Sequence, residues 1–129
     1  MSNELRTLAL AVVLGFVHIL LATHFATRRN GIWWNVGPRD QAMPPLEGVA
    51  GRLDRASRNF LETFPLFAAA LLAAHLSGRN GVLTLWGTQL YFWGRVVYLP
   101  LYVLGVPVVR SVVWSVAAVG IFLILLALL

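Results

Sequence analysis

The chain has no cysteine, which excludes disulfides, thiolate metal sites and a cysteine nucleophile. Any thiol chemistry here needs a sulfur carried in by a substrate. Lysine is also absent, so all ten basic residues are arginine, set against only five acids. Charge as a whole is scarce: 12% of the 129 residues are Asp, Glu, Lys or Arg, and 59% are hydrophobic. A soluble domain carries about 25% charged residues, so this composition belongs in a membrane.

What is present is a set of four apolar runs, residues 8–26, 60–76, 82–109 and 111–129. Each is near or above the roughly 17 to 25 residues that cross a bilayer as helix, the second only if the polar stretch before it joins the same helix. The runs are continuously apolar and do not alternate, which argues against a β-barrel. The first run is too long for a signal peptide, carries Glu4 beside Arg6, and lacks a small-residue cleavage site before Arg28 and Arg29. It is read as a transmembrane helix.

The predicted helices cover about residues 3–27, 50–76, 82–104 and 108–128, forming one domain, 1–129. The segment 30–51 is rich in Gly and Pro and is expected to be an irregular surface loop, with Trp33 and Trp34 as interfacial anchors. The turns at 77–81 and 105–107 are too short for anything but antiparallel neighbours, so the fold class is an all-α membrane protein, an up-down bundle of four transmembrane helices. Pro65 and Pro100 are expected to kink their helices, each freeing a carbonyl four residues back. Six arginines lie between the first two runs and Arg110 opens the fourth, while the opposite side holds Arg6 and Arg79. The positive-inside rule then puts the long loop in the cytoplasm and both termini outside, and explains the basic balance without nucleic acid.

At about 100° per residue, Arg52, Arg55, Asn59 and Glu62 share an arc of roughly 80° on the second helix. Tyr91, Arg95, Tyr98 and Tyr102 share roughly 60° on the third. Arg95 lies about 14 Å inside the end of its helix, where it needs protein, water or an anion as company. Glu62 either pairs with Arg95 or Arg58 or faces a ligand; the surplus of Arg52, Arg55, Arg58, Arg95 and Arg110 over acids points to an anionic ligand. A small molecule with several carboxylates fits, and phospholipid headgroups satisfy part of the description. His18 and His24 point to different faces and His75 lies at a helix end, so no metal ligand set assembles.

"RASRNFLETFP", residues 55–65, resembles the Arg-x-x-x-Asn-x-x-Glu-x-x-Pro motif of the MAPEG family, the membrane-associated proteins in eicosanoid and glutathione metabolism. "RVVYLPLYVLGVPVVR", residues 95–110, is similar to the family's Arg, Tyr and Arg arrangement, and the likeness covers nearly the whole chain. The resemblance implies a homotrimer in which glutathione, as co-substrate, binds between subunits at the cytoplasmic side. Arg55, Asn59 and Glu62 would hold the peptide, with Arg52, Arg95, Tyr98 and Tyr102 in the same pocket and Arg110 as the catalytic arginine that stabilises the thiolate. A lipophilic second substrate would arrive from the bilayer, among membrane lipids. The short chain looks like bacterial members, which implies a bacterial inner membrane. Thr63 departs from the tyrosine that the leukotriene synthase branch has there, which puts one contact in doubt.

The expected activity is that of a glutathione transferase or peroxidase on lipophilic electrophiles or hydroperoxides, serving detoxification. The alternative is a non-catalytic, lipid-binding or scaffold member of the same family. A small multidrug transporter also fits the length but expects an embedded carboxylate in the first helix, where the chain has only Glu4 at its very start.

Overall fold

The computed structural model describes residues 1–129 and is helical throughout, with no strand. Helix α1, Asn3–Asn30, opens on Ser2, whose hydroxyl accepts from the Leu5 amide at 3.2 Å, and closes on Arg28 and Arg29. The cap satisfies an orphan amide, and the cations suit the negative end of the helix. Helix α2, Ile32–Val36, corrects the expectation of a wholly irregular loop: five residues between Gly31 and Gly37 make a short helix. Gly31 has φ 93°, a conformation that frees α2 to leave the axis of α1.

Helix α3, Gly48–Leu76, and helix α4, Val82–Val103, continue unbroken through Pro65 and Pro100. Helix α5, Pro107–Leu128, starts with proline at its first turn, where the missing amide costs nothing. The boundaries fall close to those expected from the Gly and Pro punctuation.

Three helices, α1, α3 and α5, are long and apolar enough to cross a membrane. The fourth expected run, α4, has 22 residues, but Thr84, Thr88, Gln89 and Arg95 interrupt its apolar character. Three of them face inward, Thr84, Thr88 and Arg95 being fully buried, while Gln89 is half-buried against Thr7.

Contacts fix the relative directions. Arg52 meets Val103, Asn59 meets Arg95 and Thr63 meets Tyr91, so α3 and α4 run antiparallel. Helices α1 and α4 run the same way, since Glu4 meets Thr84 and Thr7 meets Gln89. The most extensive packing is between α4 and α5. There, a Cβ on Gly87 would lie 2.5 Å from the Gly120 carbonyl oxygen, and one on Gly120 would lie 2.5 Å from that of Gly87. Only glycine permits this approach, which is how helices associate in lipid, where apolar burial gives little drive.

Between the helices sits a core built from Phe67, Leu71, Tyr91, Ala117 and Ile124, with a second cluster of Leu53, Ala56, Tyr98 and Leu99 toward the loop end. Large apolar side chains such as Phe16, Leu20, Phe122 and Leu126 point outward. In water this would be a liability; in hydrocarbon it is the expected surface.

Candidate functional site

The loop-side half of α3, α4 and α5 gathers the polar residues singled out in the sequence. Arg95 is fully buried, and its Nη1 donates to Asn59 Oδ1 at 2.6 Å. Its guanidinium carbon stands 4.2 Å from the Tyr98 ring centre and 5.4 Å from that of Phe60, so two aromatic faces hold it. The Nε and Nη2 atoms have no hydrogen-bond partner. A buried cation next to a neutral amide alone is an uncompensated charge, which is costly wherever water is excluded.

Above it, Arg110 stacks over Tyr102 at 4.7 Å, and Arg55 Nε donates to the Tyr102 hydroxyl at 3.2 Å. Tyr98 and Tyr102 lie one turn apart with ring centres 5.5 Å from each other. Arg52 is less available, because its Nε donates to the Val103 carbonyl at 2.7 Å and so ties α3 to the end of α4.

A cavity of about 190 Å³ opens among Asn59, Tyr98, Arg110, Ser111, Trp114 and Ser115. Three of these come from the predicted set, and the three contributed by α5 beside Arg110 do not. Their signal was available: Trp114 follows Arg110 and Ser115 follows Ser111 by four residues, which is the spacing of one helix face. The lining is rich in donors, a guanidinium, an amide and three hydroxyls, and carries no acid. Such a site suits an anion.

Arg55 and Arg58 also border a larger cavity, about 970 Å³, between α1, the 37–47 segment and α3. Its apolar floor includes Ile19, Ala22 and Leu61, and its rim includes Arg29, Asn30 and Arg39. Arg29 is strapped across that rim, donating to the Pro44 carbonyl and, at 2.6 Å, to the Pro45 carbonyl. The single arc read from the sequence therefore divides, Asn59 lining the smaller cavity against α4 and α5 while Arg55 lines the larger one and reaches across to the Tyr102 hydroxyl.

Glu62 settles one open alternative. It forms no ion pair with Arg95 or Arg58; Arg58 instead meets Asp54 at 3.2 Å within α3. Glu62 is exposed on the flank of α3, an acid on a helix apolar enough to cross a membrane. Thr63, one residue on, turns inward, where its hydroxyl lies 3.0 Å from that of Tyr91. Tyr91 belongs to the core, stacked on Phe67 at 4.1 Å, and not to the cavity among Asn59 and Arg110. No three His, Asp or Glu side chains converge in a way that could hold a metal ion.

The fold and the site together define an integral membrane protein, all helical, with a cationic, donor-lined pocket at one end of its helices. The chain belongs to the MAPEG family, whose family model matches residues 7–129. It is thus a membrane protein of the family associated with eicosanoid and glutathione metabolism. No curated protein matches the sequence.

Proposed function

We propose that the protein binds glutathione in the membrane and acts as a glutathione transferase or peroxidase on lipophilic electrophiles or hydroperoxides. The observation that carries this reading is Arg95, fully buried beside Asn59 with two donor atoms unpartnered and Arg110 on the neighbouring cavity wall. Glutathione brings two carboxylates for such arginines, an ammonium for Glu62, and the sulfur that a cysteine-free chain lacks. Family membership points to the same ligand.

In this reading four helices cross the membrane, α1, α3, α4 and α5, as an up-down bundle with both termini outside and the 31–47 segment in the cytoplasm. Helix α4 crosses under cover of its neighbours, its polar groups turned inward. Three chains assemble, and a neighbouring subunit covers Glu62, whose exposure on a spanning helix needs a partner. The cavity of about 190 Å³ within one chain is then one wall of a site that the neighbour completes.

Arg110 is the catalytic residue. Its guanidinium favours the thiolate over the thiol, and the thiolate is the nucleophile. The sulfur attacks the electrophilic carbon and expels the leaving group with its electron pair; in the peroxidase reaction it attacks the terminal hydroperoxide oxygen, the O–O bond breaks and the alcohol leaves with that electron pair and a proton. A second glutathione thiolate then displaces water from the sulfenic acid to give the disulfide. Arg55, Asn59, Glu62, Arg95, Tyr98 and Tyr102 hold the peptide, and Arg52 supports the wall.

A second reading, a lipid-binding member without catalysis, is favoured by an apolar groove of about 360 Å³ between α4 and α5, bordered by Trp86, Trp93 and Val113. The test is addition of millimolar glutathione to detergent-solubilised protein. A thiolate ultraviolet band and a raised unfolding temperature are expected, and neither appearing at saturating glutathione sinks the proposal. Turnover of an aromatic chloride electrophile that survives Arg110→Ala unchanged would leave the lipid-binding reading in its place.

A further inference from the structure

Helix α1 supplies none of the residues of the proposed glutathione site, yet it carries a fully buried histidine. His18 Nδ1 lies 2.9 Å from the Leu14 carbonyl oxygen, and because a carbonyl only accepts, Nδ1 bears the proton. Nε2 is then left as a buried atom with no partner. A methyl-bearing or aromatic side chain would fill the space without that cost, so packing alone does not account for histidine here.

What the ring does is grip Phe60. The two rings stack with centres 4.6 Å apart and planes 22° from parallel. One turn earlier, Gly15 leaves room for the same ring, since a Cβ there would sit 3.1 Å from Phe60 Cε1. Gly15 and His18 form a slot on α1 into which α3 inserts Phe60.

Phe60 is in turn one of the two aromatic faces against the Arg95 guanidinium, 5.4 Å from its central carbon. It also follows Asn59, the residue that accepts from Arg95 Nη1. Seating Phe60 therefore fixes the rotation of α3, which aims Asn59, and fixes the plane of Arg95, which aims its free Nε and Nη2.

We infer that the Gly15–His18 slot of α1 is a positioning device for the Arg95 centre, with His18 acting through Phe60 to hold the guanidinium in the orientation that receives a glutathione carboxylate. The inference rests on the proposed glutathione site. His18 touches neither peptide nor sulfur, so it controls affinity and leaves the rate at saturation alone.

The experiment uses the full chain in nanodiscs and measures glutathione binding by calorimetry, turnover of an aromatic chloride electrophile and unfolding temperature. His18→Ala should raise the Kd for glutathione about tenfold, with kcat at saturating glutathione within about twofold of the parent. His18→Phe restores a ring against Phe60 and should return Kd to within about threefold. Gly15→Ala pushes on the same ring without touching His18 and should raise Kd between those limits.

A folded His18→Ala that binds glutathione like the parent overturns the inference, and so does failure of His18→Phe to restore affinity. If His18→Ala does not fold, an unchanged Kd in Gly15→Ala overturns it. A parent protein that does not bind glutathione at all removes the proposed function itself and the inference with it.

Discussion

The two ends of the helices treat polar groups in opposite ways. At the end bearing the N-terminus, Glu4 accepts from the Thr84 hydroxyl at 3.2 Å, Gln89 donates to Thr7 at 3.0 Å, and Trp93 donates to Gln89 at 3.0 Å. Each group finds its match within the chain. At the loop end, Arg95 has two idle donors, Glu62 has no cation, and Arg110 rests only on the face of a tyrosine. Closed networks hold helices together, and open ones wait for something from outside. The loop end is the one with donors and an acid to spare.

The comparison breaks most severely at the glycine contact between α4 and α5. Gly120→Leu places a side chain into the Gly87 carbonyl and the Tyr91 amide, and is expected to cost about 3 kcal/mol or more, or to prevent folding; thermal unfolding in detergent checks it. Next comes Arg110→Ala, expected to lower glutathione turnover at least about tenfold while the unfolding temperature stays unchanged, measured by steady-state kinetics and calorimetry.

Arg95→Leu sharpens the contrast further because its two effects have opposite signs. Removing an uncompensated buried charge should leave the ligand-free protein as stable as before, or about 1 to 3 kcal/mol more stable, while glutathione binding is lost. A destabilised variant would show that Arg95 is there for structure. At the closed end, Thr84→Val deprives Glu4 of a partner and should cost about 1 to 2 kcal/mol by equilibrium unfolding, with glutathione affinity intact. The smallest effect belongs to Asp54→Asn, which removes an exposed i,i+4 pair and should change stability by less than about 0.5 kcal/mol.

Much of this was legible in the sequence, and for physical reasons. Length and apolarity define spans, and Gly105 and Pro107 mark ends because their backbone preferences do. Helix α2 was hidden, since five residues between two glycines carry no periodic signal. Helical spacing put Asn59 and Arg95 on the polar stripes of their helices but named Glu62, not Asn59, as the partner Arg95 could have. The fate of Glu62 did not follow from spacing, which gives a direction around a helix but not whether a neighbour stands there. Ser111, Trp114 and Ser115 lay in a run whose apolar average masked them, and His18 acts only through a ring on another helix.

The glycine contact has a mechanical side as well. With the Gly87 and Gly120 backbones touching and Gly94 against Ala117, α4 and α5 cannot slide past one another and behave as a single stiff blade. The seam between α3 and that blade is closed by side chains instead. Along that seam the fasteners are the Arg52, Arg55, Asn59 and Thr63 hydrogen bonds to α4, side-chain links that a rotamer change can release without moving either backbone.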